Sequence, residues 1–321
     1  MNLNGVTGPS ISVVVPVYNG ESTIAACIES LLEQTYTPTE IIIVDNNSTD
    51  GTREVVQKYP VTLLQETRQT SYAARNRGIK HCQATLVALT DADCVASPDW
   101  LEELIKPFSN DGTLAAAGRI VDYPPSTRAE RFIHQVSPFT DLDLTGLPSL
   151  LTGNVVYRRT VLEQLGWYDE ALPTAGDVDM GWRLKAHWSD AIARAPAAVV
   201  YHKHRTTWGG LYRQFSRYGY SEILLATLYQ NCLGDAVSPP DQARRMLSQL
   251  GALFTYILSF CWRLVRYPFR RYSSDWLLWP VFMFVIESAN LAGKGRGLVH
   301  TRWFRRNPYP SRPDIHRCSV Q

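Results

Sequence analysis

The sequence predicts an α/β fold, a mostly parallel sheet flanked by helices with an apolar, basic helical region after it. Three observations carry this reading. Short β-branched apolar runs recur along the first 200 residues, segments with helical apolar spacing separate them, and turn residues mark the junctions. Such alternation implies parallel strands joined by right-handed crossovers. With 321 residues, 45% hydrophobic and 19% charged, the chain can bury one large core or two modest ones.

The first strand is the buried run ISVVVPV, Ile11 to Val17. Ile24, Ile28, Leu31 and Leu32 then recur at helical spacing. EIIIVD is a second buried strand, closed by the turn-rich NNSTDGT. A helical REVVQKY, a strand VTLLQ, a helical SYAARNRGIKHC and a strand ATLVALT follow. Ser97 as N-cap with Pro98 at the first helical position starts a helix over PDWLEELIKPF. After Gly118 the alternation loosens, prolines break the chain, and a short helix is expected near STRAERFIHQV. TGNVVYRRTVLEQLGWYDE resumes strand and helix, AAVVY is a strand, and Gln230 to Gln242 reads as a linker.

The net charge of +2 conceals an asymmetry. Residues 1–200 carry 15 Lys and Arg against 24 Asp and Glu, whereas residues 201–321 carry 17 against 6. An acidic half suits metal and hydroxyl chemistry; a basic half rich in Trp and Tyr suits an anionic surface, with lipid favoured over nucleic acid. The six cysteines form no CxxC pair, so neither a zinc site nor a disulfide framework is expected, and a reducing cytoplasm is the simplest setting. The polar opening MNLNGVTGPS carries no signal for secretion.

Open parallel sheets place ligands at the carboxyl ends of their strands. Here those ends hold Pro16-Val17-Tyr18-Asn19, Asp45-Asn46-Asn47-Ser48 and Asp91-Ala92-Asp93. Asp45 can accept hydrogen bonds from a base or ribose, or it can serve only its own turn. Tyr18 offers a face for stacking. No GxGxxG and no GxxxxGK[ST] is present, so another device must hold phosphates. The carboxylates of Asp91 and Asp93 suit Mg2+ or Mn2+ bridging a diphosphate. Asp177 and Asp179, before an apolar helix, read either as capping residues or as a general base taking a proton from a hydroxyl acceptor.

These segments resemble glycosyltransferase family 2, of GT-A fold, through SVVVPVYNGESTIAACIESLLEQTY, EIIIVDNNSTDGT, YAARNRGI, ALTDADC, LLTGNVVYRRTVLEQLGWYDEAL and GDVDMGWRL, in order over roughly residues 10 to 205. The resemblance implies an inverting transfer of a sugar from a nucleoside-diphosphate donor. Pro16, Tyr18, Glu21, Asp45 and Arg75 would surround base and ribose, Asp91 would lie near the ribose or diphosphate, and Asp93 would hold the metal. Asp177 would be the base, with Asp179 as the fallback, although Gly176 stands where the family has glutamate. His202 falls where a metal or diphosphate contact is common, and is equally readable as an exposed histidine. Gln214 to Tyr218 is similar to the family's QxxR-aromatic motif or forms an ordinary amphipathic helix, the latter favoured for Gln214. Arg213 and Arg217 are candidates for diphosphate binding.

The expected domains are therefore a catalytic one over 1–229 and a membrane-associating helical region over 243–321. Two apolar stretches, Met246 to Trp262 and Trp276 to Ala292, are about 17 residues each, the lower limit for crossing a bilayer. Arginines flank both on every side, which favours helices lying in the cytoplasmic leaflet over a spanning hairpin. The alternative is a soluble apolar core or dimer interface. Acceptor contacts, with a lipid-linked or membrane-presented hydroxyl in view, are expected from Asp122 to Leu150 and from the tail. A non-catalytic nucleotide-sugar-binding scaffold on the same fold is the competing function.

Overall fold

The structure is a computed structural model describing residues 8–136, 150–229, 239–269 and 272–304. Its contacts divide the chain into two units, Met1–Pro124 with Pro138–Lys203, and Pro125–Ser137 with His204–Gln321.

The first unit is built on one sheet of eight strands: β1 (Ile11–Val17), β2 (Glu40–Asp45), β3 (Thr62–Gln65), β4 (Leu86–Thr90), β5 (Cys94–Ala96), β6 (Ala115–Asp122), β7 (Asn154–Arg158) and β8 (Ile192–His202). Their order is β3-β2-β1-β4-β7-β6-β8-β5. β3, β2, β1 and β4 run parallel, while β7 pairs antiparallel with β4 and β6, and β5 antiparallel with β8. From β1 the chain winds outward through β2 and β3, then returns to β1's other side as β4. That reversal is the topological switch point where such sheets bind ligands.

β1 is buried along its whole length because helices cover both faces. Ile11, Val13 and Val15 pack with Ile24, Ile28 and Leu31 of α1 (Ile24–Leu32), the face set by its 3.6-residue period. Pro16 has a further effect. β1 pairs with β2 through Val17↔Asp45, yet its ladder with β4 ends at Val14↔Leu89. A proline has no N–H to extend that ladder, so pairing stops just below the residues that follow β4. α2 (Thr52–Val56), α3 (Ser71–His81), α4 (Trp100–Ile105), α6 (Arg159–Gln164) and α7 (Gly176–His187) complete this unit.

Several expectations are corrected. α4 begins at Trp100 with Asp99 as N-cap, not at Ser97. Ser97 donates its N–H to the Val199 carbonyl, and the Pro98 carbonyl accepts from the Thr35 N–H, so neighbouring segments hold these residues outside the helix. β5 and β6 fill stretches for which no strand is expected. Residues 239–242 of the expected linker belong to a helix, and residues 230–238 lie outside the described residues.

The second unit contains α5 (Arg128–His134), α8 (Trp208–Leu228), α9 (Pro239–Arg266) and α10 (Ser274–Phe304). Thr127 and Glu130 form a capping box at the start of α5. Phe132 of α5 stacks on Phe282 of α10, with ring centroids 5.1 Å apart, and Trp208 and Trp279 pack around them. Asp275 receives Arg131 at 3.0 Å and Arg128 at 3.1 Å. α8 and α10 cross so closely that a Cβ at Gly219 would lie 2.0 Å from the Asn290 carbonyl oxygen. The two expected 17-residue stretches are therefore parts of helices of 28 and 31 residues. By length and composition alone, Ser274–Thr301 could cross a membrane, with a mean hydropathy of 1.3.

Candidate active site

The loops after β1 and β2 are fastened to each other. Asn19, at φ 49°, donates its backbone N–H to Ser48 Oγ at 2.9 Å, and its side-chain oxygen accepts from the Thr49 N–H at 2.8 Å. Glu21 accepts from the Gly51 N–H at 3.1 Å and donates its own N–H to Asp50 at 3.2 Å, so it braces the β2 loop. Asp45 is buried, accepts from Arg53 Nε at 2.6 Å and closes its own turn through the Ser48 N–H. The turn role and a site position thus coexist at Asp45. Pro16 is buried in the ladder below, and Tyr18, just past the strand end, is 51% exposed.

The residues after β4 form the second part. Arg75 reaches from α3 to donate Nη2 to Asp91 at 2.5 Å. The guanidinium is buried rather than on the surface, and its Nε finds no hydrogen-bond partner. Asp93 turns the other way. Cys94 pairs with His202 across β5 and β8, and this register sets His202 Nε2 3.5 Å from the Asp93 carboxylate. Burial first, and the Asp93 and Asp91 charges second, push the Cys27 and Cys94 thiols well up. Both effects disfavour the thiolate, the nucleophilic form of cysteine.

The third part is the start of α7. Ala175 precedes it in the left-handed region at φ 60°, a costly backbone for a residue with a Cβ. The Gly176 N–H, unpaired within the helix, donates to Tyr72 Oη at 2.7 Å. Tyr72 itself stacks on Tyr168, centroids 5.7 Å apart. A Cβ at residue 176 would lie 2.7 Å from the Tyr72 ring, so the tyrosine fills the space where the resemblance expects a glutamate side chain. Gly176→Ala is accordingly expected to cost about 1–3 kcal/mol by overpacking. Equilibrium denaturation checks this, and adding Tyr72→Ala should remove the clash component.

Asp177, half-buried, follows at the second helical position and accepts from the Val178 N–H at 3.0 Å. Burial raises its carboxyl above the usual range; the Val178 bond and the Arg75 charge oppose that rise, and the Asp91 charge adds to it. Asp179 is different. It is fully buried and ion-paired with Arg183, whose Nε and Nη2 lie 3.0 and 2.9 Å from Oδ2. The same guanidinium donates to the carbonyls of Leu165 and Trp167, fastening the loop after α6.

Asp45, Arg75, Asp91, Asp93, Asp177 and His202 all belong to the first unit. Arg213 and Arg217 lie on the solvent face of α8 in the second unit, and buried Gln214 donates to Tyr218 Oη at 2.8 Å. Three residues were not singled out from the sequence: Arg53, Tyr72 and Arg183. The i, i+4 spacing of Asp179 and Arg183 was a readable signal. The Tyr72–Gly176 pair, 104 residues apart, was not.

Among the described residues, no group of three His, Cys, Asp or Glu side chains could hold a metal ion. Asp93 and His202 nevertheless supply an oxygen and a nitrogen donor side by side. Such a pair fits a Mn2+ or Mg2+ ion that completes its shell with substrate phosphates and water.

A family model, Glycosyl transferase family 2, matches residues 12–166, a span that includes Asp45, Arg75, Asp91 and Asp93 and ends before Asp177 and His202. Glycosyltransferase AglE of Haloferax volcanii is 32% identical over 209 residues, covering 61% of this chain and 65% of the relative. The pre-mycofactocin glycosyltransferase of Mycobacterium tuberculosis is 28% identical over 270 residues, covering 78% and 53%. The chain thus spans less than two thirds of either relative's length. A solved mannosyltransferase, PcManGT from Pyrobaculum calidifontis, in complex with GDP-Man and Mn2+, superposes with a TM-score of 0.56 at 21% identity, covering 88% of this chain and 87% of that one. It shows the same GT-A fold.

Proposed function

We propose that the chain is a member of glycosyl transferase family 2, whose model matches residues 12–166, and that it transfers a sugar, with inversion, from a nucleoside-diphosphate donor to a hydroxyl acceptor. The observation that carries this reading is the row of strand ends at the switch point: Asp45 after β2, Tyr18 after β1, and Asp91 and Asp93 after β4. Tyr18 would stack on the base and Asp45 would take the ribose or base hydrogen bonds. Arg75, ion-paired with Asp91, would hold that carboxylate in place at the diphosphate end. A divalent cation bound by Asp93 and His202 would offset diphosphate charge.

Asp177 supplies the base. As the acceptor oxygen bonds to the anomeric carbon, its proton passes to the Asp177 carboxylate, and the carbon–oxygen bond to the diphosphate breaks with its electron pair on the leaving group. Desolvation raises the proton affinity of this carboxylate, which suits that task. Asp179 is occupied by Arg183 and holds the helix. The basic second unit would bring the enzyme to a membrane surface, on the cytoplasmic side, where a lipid-linked acceptor in glycan or glycolipid synthesis would be presented.

Calorimetric titration of sugar nucleotides tests the donor site. In Mn2+, Asp93→Ala is expected to weaken donor binding on the order of hundredfold, while metal-free binding stays at its weak baseline. Equal affinity of wild type and variant in Mn2+ would remove Asp93 from the metal site.

A further inference from the structure

The two long helices of the second unit share an apolar composition and differ in what they expose. α10 could cross a membrane by composition, and most of its apolar side chains are partly covered within the unit. Phe282, Ile286 and Ala289 are buried, and among its described large apolar side chains only Val299 is strongly exposed. Its polar residues also face inward partners, since Lys294 pairs with Glu222 at 2.9 Å and donates to Gln249 at 3.1 Å. Taking this helix alone into lipid would break that network.

α9 is the reverse. Leu247, Leu250, Phe254, Ile257, Leu258 and Trp262 are each between 49% and 66% exposed. Their spacing of three and four residues places them on one stripe, about 22 Å long at 1.5 Å per residue. The opposite side of α9 is covered: Gln249 donates to Glu287 at 3.0 Å and Asn290 at 3.1 Å, and the Arg263 guanidinium lies 4.8 Å from the Trp276 ring centroid. An apolar face this long and continuous is uncommon on a monomer without a partner.

Charge identifies the partner. Between Gln242 and Ser274 the sequence carries six arginines and no acidic residue. On α9, Arg244 and Arg245 precede the stripe and Arg266 follows it, over the Trp262 ring at 4.2 Å, while Arg263 stays on the covered side. A second copy laid on this face would oppose arginines to arginines in either orientation. An anionic bilayer accepts both features, its head groups taking the arginines and its acyl boundary taking the stripe.

We propose that the exposed stripe of α9 is the membrane-docking surface, lying in the plane of an anionic leaflet, with α10 as the internal helix that supports it. This rests on the membrane-surface reading above and assigns it to one helix face. Vesicle flotation of the full chain tests it, using phosphatidylcholine alone and phosphatidylcholine with phosphatidylglycerol. Wild type should float with the anionic vesicles. The triple variant Leu250→Gln, Phe254→Gln, Leu258→Gln, with unchanged circular dichroism because these side chains are exposed, should lose partitioning on the order of tenfold per side chain. Arg244→Gln with Arg245→Gln should reduce the anionic preference, and Val299→Gln should change nothing.

A triple variant that floats as well as wild type overturns the assignment to α9 and leaves the membrane reading standing. A wild type that floats with neither vesicle overturns both. A wild-type dimer that the triple variant converts to monomer, without vesicle binding, assigns the face to a second copy instead.

Discussion

Asp177→Asn is expected to lower kcat for sugar transfer by about 10²–10⁴-fold, the usual worth of a positioned general base, while leaving donor affinity within a factor of a few. The amide keeps the size and the acceptor oxygen that receives the Val178 N–H, so the start of α7 should be preserved. Two further readouts separate a base from a structural residue. Burial raises the folded-state pKa of Asp177 above its unfolded value. The acidic limb of kcat/KM should therefore lie above the ordinary carboxylate range, because the base must be ionised. The stability sign follows from the same shift. A carboxyl with a raised folded-state pKa favours the fold most when protonated, and that contribution is lost as pH rises through the folded-state pKa. At neutral pH the ionised group is then a burden, and Asp177→Asn should raise Tm as it abolishes turnover, an activity–stability trade. A variant that is less stable and only mildly slower would mark Asp177 as a helix-start residue.

Arg183→Met should act on folding. Its partner Asp179 is fully buried, and stripping one member of a buried pair leaves an uncompensated charge, at about 3–5 kcal/mol. The loss of bonds to the Leu165 and Trp167 carbonyls adds to this. For a unit of this size the thermal transition should fall by roughly 10 °C. The double variant Asp179→Leu, Arg183→Met should recover much of that loss, since replacing both charges with apolar groups is often neutral. If Asp179 were the base, the double variant would regain stability and still be inactive, whereas the present assignment expects transfer to return with stability. Differential scanning calorimetry beside a transfer assay reads both.

The parts of this molecule that came through in the sequence are those where local pattern and tertiary role agree. β1, β2 and β4 are buried on both faces, so their apolar runs are unbroken, and the turns after them carry Asn, Asp and Ser in positions that also hold the site together. Asp45, Asp91 and Asp93 could be found there because a parallel sheet leaves few places for polar residues at its carboxyl edge. β6 was hidden because its first three residues are alanines, weak strand formers that sit there only because neighbours on both sides pair with them. Ser97-Pro98 carries a good helix-start signature, but the bond that Ser97 donates to the Val199 carbonyl and the one that Pro98 accepts from Thr35 hold those residues outside the helix.

Glu21 has a second role that its sequence position does not show. A carboxylate beside a nucleotide-shaped loop suggests a ligand contact, and in the structure it also accepts from the Gly51 N–H. Gly176, which looked like a missing glutamate, is coupled to Tyr72 from a distant helix. The tail shows the limit of composition most plainly. α9 and α10 both read as apolar, and only packing determines that α10 keeps most of its large apolar side chains partly covered while α9 exposes a stripe of them.

The central proposal is metal-dependent use of a sugar nucleotide by the carboxylates after β4 and at the start of α7. The most direct test is release of nucleoside diphosphate from a panel of sugar nucleotides in Mn2+ with candidate hydroxyl acceptors, measured for wild type, Asp93→Ala and Asp177→Asn. The account predicts turnover by wild type with at least one donor, loss of donor binding and turnover in Asp93→Ala, and retained binding without transfer in Asp177→Asn. Turnover unchanged in both variants, or donor binding by wild type with no turnover across the panel, would contradict it.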